Sequence, residues 1–170
     1  SFFFGLVSIL SFLNIIYSYY LNWYLNLNTY YYNLVCSLLI SVVFYKIQGS
    51  NKKLTIFDKI FTVFLGYLLI PLVLSIPFYF SIYNLTFSNS FFEAISGFTS
   101  TGFTIFENIK LIDQSLIIWR SSTQWIGGLY FLFSIIYLID IYDDSFKKTL
   151  TNFISFNSSE ILKQAAKIFI

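Results

Sequence analysis

Residues 91–106 read FFEAISGFTSTGFTIF: one carboxylate (Glu93), two glycines and a run of hydroxyls, set between long apolar stretches. The residue types limit the chemistry. The chain has no histidine, and its single cysteine, Cys36, lies within an apolar run. Disulfides, Cys/His metal sites and Ser/His or Cys/His catalytic pairs are therefore excluded. What Thr99, Ser100, Thr101, Gly102 and Phe103 offer is backbone carbonyls and hydroxyls, in a segment too polar and β-branched to continue a helix. Gly102 can take a positive φ there. Such oxygens replace the hydration shell of a weakly hydrated monovalent cation such as potassium. A hard divalent ion calls for carboxylates, and none occurs from Ala94 to Phe106.

The surrounding chain must hold such a loop, and its composition says in what medium. Hydrophobic residues make up 57% and charged ones 11%, against about a quarter charged in soluble domains. The expected class is all-α integral membrane. Runs near the length of about 20 residues needed to cross a bilayer fall at 2–23, 30–45, 56–83 and 116–139. The third, about 28 residues or about 42 Å, must tilt or extend into water. It contains Pro71 and Pro77, so a kink is expected there. Cys36 is read as a small lipid- or helix-facing side chain. The absence of methionine, the start at Ser1 and the apolar end at Ile170 suggest a piece of a longer protein, with no signal peptide at its start.

Charge sets an expected orientation. Lys46, Lys52, Lys53 and Lys59 lie between the second and third spans, and Lys147, Lys148, Lys163 and Lys167 follow the fourth. Eight of the ten basic residues thus face one side, the cytoplasm by the positive-inside rule. The N-terminus and tail would be cytoplasmic, and the connection 84–115, with Glu93, Glu107, Lys110 and Asp113, would be outside.

Within that connection, residues 90–98 read as a short helix with Ser90 as N-cap and Glu93 three positions on, the capping-box spacing. About nine residues give about 14 Å, half a bilayer, so the segment enters without crossing. Entering from outside, its C-terminal end near Phe98 points inward and carries the negative pole of the helix dipole, which favours a cation. Non-helical backbone at that depth is tolerated where it is buried in protein or lines a water-filled path. A re-entrant pore loop meets that condition; an ordinary turn outside the membrane is the alternative.

Together, FFEAISGFTSTGFT and the later SLIIWRSSTQWIGGL resemble the TrkH/KtrB superfamily of potassium-uptake membrane proteins, whose pattern has SGFTTTG in a pore loop and WRSxTQWxGG opening the next span. The match covers Glu93, Ser96, Gly97, Phe98, Thr99, Thr101 and Gly102, then Trp119, Arg120, Ser121, Thr123, Gln124, Trp125, Gly127 and Gly128. Weaker likeness extends from about Leu54 through the fourth span. The resemblance implies a pseudo-fourfold cation channel-like transporter built from four helix–pore loop–helix repeats. Here 1–48 would be an N-terminal helix pair and 49–142 the first repeat, with its filter loop at 99–103. Residues 143–170 would be a cytoplasmic connection and the start of the next repeat. Potassium would be the transported ion, held by the backbone of Thr99, Ser100, Thr101 and Gly102, with no cofactor. Ser100 stands where the family pattern has a threonine and Phe103 where a smaller residue is frequent, yet neither change removes a carbonyl. The filter has one glycine, unlike the two-glycine filters of potassium channels proper. The implied partners are the lipid bilayer, the remaining repeats, a second copy in a homodimer and a cytosolic nucleotide-binding regulatory subunit, with no nucleic acid, in a bacterial-type inner membrane.

Around the loop, Arg120 reads either as an interfacial snorkelling anchor or as a tie to Glu93 or the loop carbonyls. Gln124 and Thr123 would hydrogen-bond the loop or face a neighbouring helix, and Gly127 and Gly128 would allow close packing. Trp23, Trp119 and Trp125 are expected in aromatic belts. Asp140, Asp143 and Asp144 are solvated carboxylates or a cation-attracting vestibule. The Lys-Ile-Phe of residues 59–61 recurs at 167–169, an echo consistent with a second repeat. The rival functional readings are a small tetrameric channel of two-helix type and a non-transport membrane subunit. With no His, no Cys pair and no acidic pair placed within the membrane, the chain does not read as an enzyme.

Overall fold

The computed structural model describes residues 1–47, 56–108 and 112–139, and every described element is helical. They are α1 (Phe2–Tyr20), α2 (Leu27–Ile47), α3 (Ile56–Leu74), α4 (Ile76–Tyr79), α5 (Phe87–Phe98) and α6 (Gln114–Ile139). The chain divides into two units. Ser1–Leu132 contains everything discussed below. The second begins at Phe133; its described residues are the end of α6, where the rings of Phe133 and Tyr137 stack at 5.4 Å.

Polarity runs inside out in the α1–α2 pair. α1 stops where Asn22 adopts φ 59°, a left-handed position that a short polar side chain tolerates, and Trp23 N–H closes onto the Ser18 carbonyl at 2.8 Å. Ser8, Ser11, Asn14 and Ser18 recur on one face of α1 and are buried, as are Tyr30, Asn33 and Ser37 on α2. Ile9, Phe12, Leu13 and Ile16, and on α2 Val35, Leu39, Val42 and Val43, face outward. In a water-soluble pair the apolar stripe would face inward. Here small polar residues let the helices close, and Asn33 Nδ2 donates to Ser11 Oγ at 2.7 Å. Cys36 is half-buried. Among the described residues, α1, α2 and the stretch Phe57–Tyr79 are long and apolar enough to cross a bilayer. α6, at 26 residues, has the length of the fourth expected span, with Arg120, Ser121, Ser122, Thr123 and Gln124 in its first half and a mainly apolar second half.

The long third run is not one helix. Pro71 is accommodated inside α3, but the helix stops at Leu74 and resumes as α4, with Pro77 in its first turn. Pro77 has no N–H to offer the Val73 carbonyl, which weakens the helix at this point. Side chains supply donors here: Ser75 Oγ to the Leu72 carbonyl at 2.7 Å and the Trp119 indole N–H to the Leu74 carbonyl at 3.1 Å. Trp119 is therefore fully buried, which corrects its expected place in an aromatic belt. Trp125 is exposed and Trp23 half-buried.

The expected start of the short helix is also corrected. α5 begins one turn earlier than Ser90, with Thr86 as N-cap accepting from Asn89 N–H at 3.3 Å. Ser90 lies within the helix and gives its hydroxyl to the Thr86 carbonyl at 3.0 Å. The 12 residues of α5 reach about 18 Å, still too short to cross. α5 and α6 meet at the closest range side chains permit. A Cβ on Gly127 would lie 1.7 Å from the Phe98 carbonyl oxygen, and one on Gly97 2.1 Å from Thr123 Oγ1, whereas Gly128 faces open space. Tyr67, Phe98 and Tyr130 form a ring cluster beneath this contact, with centroids 5.0–5.7 Å apart.

Outside the described residues lie Lys52, Lys53, Lys110, Asp140, Asp143, Asp144 and the 143–170 segment with its four lysines and second Lys-Ile-Phe. The packing yields a first prediction. Gly127→Ala in the full-length protein lowers the unfolding free energy in detergent by about 1–3 kcal/mol, because the Phe98 backbone must move. Gly128→Ala, with room for its Cβ inside the helix, does not lower it and adds up to about 1 kcal/mol. Equal melting shifts for the two variants would contradict this contact.

Candidate functional site

α5 hands over to the loop through a Schellman motif. Ser100 N–H bonds the Gly97 carbonyl at 2.9 Å and Thr101 N–H the Ser96 carbonyl at 3.1 Å. Ser100 occupies the left-handed position of this motif, φ 58°, where glycine is usual. Serine, lacking a β-branch, bears that conformation better than the threonine of the family pattern would. Two residues on, Gly102 takes φ 81° with nothing within 4 Å of where a Cβ would stand. At Gly102 it is conformation, not space, that calls for glycine.

The loop is fastened from behind at several points. Glu93, with no exposed surface, accepts from Thr104 Oγ1 and Ile105 N–H, both at 2.6 Å, through one carboxylate oxygen. Its other oxygen lies 3.2 Å from Arg120 Nε, an ion pair without the alignment of a hydrogen bond. The same guanidinium donates from a terminal nitrogen to the carbonyls of Gly102 at 3.2 Å and Phe103 at 3.0 Å. Ser96 Oγ donates to the Phe103 carbonyl at 2.7 Å. Glu93 is thus no capping residue for α5; it joins the helix to the outgoing limb of the loop and to α6.

The front of the loop is different. Thr99, Ser100, Thr101, Gly102 and Phe103 are all exposed. Among the described residues no donor reaches the carbonyls of Thr99, Ser100 or Thr101. The hydroxyls of Thr99 and Thr101 lie 3.2 Å apart, with Thr99 Oγ1 turned back to the Ile95 carbonyl at 2.8 Å. Among the described residues no group of three or more His, Cys, Asp or Glu gathers as metal ligands do. The site's oxygens are neutral at the front, with one compensated ion pair behind.

Parts of the chain are similar in sequence to known proteins. The chain is 30% identical over 108 residues to an uncharacterized cation transporter of Methanocaldococcus jannaschii, 62% of this chain and 23% of that protein. It is 38% identical over 60 residues to the Trk system potassium uptake protein TrkI of Halomonas elongata, 35% of this chain and 11% of that protein. With TrkG of Escherichia coli, also a Trk system potassium uptake protein, it shares 29% over 86 residues, 50% of this chain and 18% of the relative. Parts of the chain are thus similar to Trk system potassium uptake proteins and to a cation transporter. Its matches span less than a quarter of the length of these relatives. No family model and no solved structure matches it.

Of the residues singled out in the sequence, the structure brings Glu93 and Arg120 together with the loop. Gln124 is exposed on α6, and among the described residues no hydrogen bond ties it to the loop. Thr123 gives its hydroxyl to the Arg120 carbonyl at 2.7 Å instead. Two contributors escaped the sequence reading. Ser96 anchors both limbs of the loop, and Thr104 carries the Glu93 contact; each sat in plain view as a hydroxyl beside the loop, but only the chain reversal aims it inward. The buried pair predicts strong coupling. Glu93→Gln in the full-length protein leaves Arg120 without its counter-charge and costs about 3 kcal/mol of stability in detergent. The double variant Glu93→Gln/Arg120→Gln should cost less than the sum of the single changes; strict additivity in thermal unfolding would show that the two side chains do not interact.

Proposed function

We propose that residues 99–103 are one repeat's share of the selectivity filter of a potassium-uptake protein, passing a monovalent cation by backbone coordination without covalent chemistry. The observation that carries this reading is the exposed row of Thr99, Ser100 and Thr101 carbonyls, free of donors among the described residues, on a loop whose other side is fastened to α5 and α6. A carbonyl with no protein donor is available to a dehydrated cation, and a loop held from behind resists collapse onto a smaller ion. The carbonyls of Gly102 and Phe103 already accept from Arg120. A cation there would meet a guanidinium, so the ligand set is narrowed to Thr99, Ser100 and Thr101, with Gly102 supplying the turn. The names of the relatives, cation transporter and potassium uptake protein, support the choice of ion.

One loop does not enclose a pore. The remaining repeats of a longer chain would supply the other walls, the protein would be a homodimer with a cytosolic nucleotide-binding regulatory subunit, and the membrane would be a bacterial-type inner membrane. In it the N-terminus faces the cytoplasm and the loop faces outside. A row of neutral oxygens suits a weakly hydrated monovalent ion better than a divalent one, whose dehydration calls for carboxylates.

Gly102→Asp in the full-length protein places a side chain and a charge in the loop and should abolish potassium uptake in cells lacking other uptake systems, with membrane insertion intact. Unaltered uptake would sink the filter assignment. For orientation, a cysteine replacing Lys110 should react with an impermeant thiol reagent added outside; reaction only from the cytoplasmic side would reverse the topology.

A further inference from the structure

The α1–α2 pair is tied to the outer end of α6 by a cluster of polar contacts that the filter reading leaves without a role. Asn26, 2% exposed in the turn between α1 and α2, donates from Nδ2 to Asp113 Oδ2 at 3.2 Å and accepts from Ile82 N–H through Oδ1 at 3.1 Å. Asp113 caps α6: its carbonyl accepts from Leu116 N–H at 3.0 Å and Ile117 N–H at 3.1 Å, while its own N–H donates to Tyr83 Oη at 2.7 Å. Ser115 Oγ donates to the same carboxylate and pairs with Tyr30 Oη at 2.9 Å. Asn14 reaches the Ser115 carbonyl at 3.4 Å. Asn26, Tyr83, Tyr30 and Asn14 thus all bond Asp113 or Ser115 at the start of α6.

What α6 carries next is Arg120, two helical turns or about 10 Å further along. Packing does not hold that side chain on every side: a cavity of about 170 Å³ adjoins it, bounded by Phe78, Phe106, Leu116 and Gln124. The place of the guanidinium therefore depends on where α6 starts. Its bonds to the loop carbonyls, at 3.0 and 3.2 Å, weaken steeply if the helix slides. We propose that Asn26 and Asp113 form a latch through which the α1–α2 pair holds Arg120 against the loop, and that this latch sets the ratio of potassium to sodium passed. The proposal rests on the filter reading above. Asn26 and Asp113 are positioning residues, acting on the ion through Arg120 and the carbonyls it retains.

The latch is directional, one amide donor to one carboxylate acceptor, so it can be inverted. Asn26→Asp sets two carboxylates face to face, and Asp113→Asn removes the charged acceptor. The double variant Asn26→Asp/Asp113→Asn restores a donor and an acceptor in exchanged places. In the full-length protein, each single variant should lower the potassium-to-sodium uptake ratio about fivefold, the size of one net hydrogen bond. The double variant should return to within about twofold of wild type. Recovery by exchange is not expected of a residue that merely fills space. An unchanged ratio in both single variants, or a double variant as altered as they are, overturns the latch. With Gly102→Asp still inactive, the filter reading survives that result; uptake unaltered by Gly102→Asp removes both. If a single variant fails to accumulate in the membrane, Tyr83→Phe decides. It deletes one acceptor of the same cluster: a shift of the ratio in the same direction supports the latch, and none overturns it.

Discussion

A carboxylate with no exposed surface, in a chain whose outer faces are apolar, is tolerated only if charge and hydrogen bonds surround it. Glu93 meets that demand with Arg120 on one oxygen and the Thr104 and Ile105 donors on the other. Much of the rest follows from bringing these groups within reach. α5 must pack on α6 closely enough for the side chains to meet, which the absence of side chains at Gly97 and Gly127 allows. The chain after α5 must reverse at once so that Thr104 returns beside Glu93, which the left-handed Ser100 and Gly102 accomplish. The guanidinium, oriented by the carboxylate, is then positioned to take the Gly102 and Phe103 carbonyls.

The consequence is a loop with two unlike sides. Its back is occupied by charge-assisted and hydroxyl bonds, and its front keeps neutral carbonyls without protein donors among the described residues. Placing the charges behind the loop separates them from the exposed carbonyls at its front. A carboxylate at the front would favour hard, strongly hydrated cations, whereas a carboxylate behind, already compensated, stiffens the frame and adds little net field. The strain of Ser100 in a glycine-like conformation belongs to the same design: the Schellman bonds to Ser96 and Gly97 hold it there.

The same economy of polar groups governs the α1–α2 pair. Between acyl chains there is no water to satisfy an amide or hydroxyl, so polar side chains turn inward and find one another: Asn33 with Ser11, Tyr30 with Ser115, Asn26 with Asp113. The first closes α1 on α2, and the other two join segments far apart in sequence at the start of α6. The broken third run obeys the same rule, since the Leu74 carbonyl at the break takes the Trp119 indole.

Length and apolarity, read along the chain, were sufficient to locate the helices that suit a bilayer, because a helix needs only its own residues to satisfy its backbone. The loop at 99–103 was equally legible, since glycine and hydroxyls between apolar runs leave few conformations that suit the medium. The start of α5 was not: Thr86 and Ser90 are chemically equivalent caps one turn apart, and the choice fell to Thr86 only in the folded chain. Nor was the position of Trp119, whose amphipathic ring suits a membrane boundary or a buried carbonyl equally well until a broken helix presents that carbonyl. Glu93 shows the limit most clearly. Three residues after a serine it has the spacing of a cap, and its actual partners become visible only when the loop folds back and α6 arrives. Local spacing decides contacts within one helix, but a buried charge is assigned by whichever distant groups the tertiary structure brings to it.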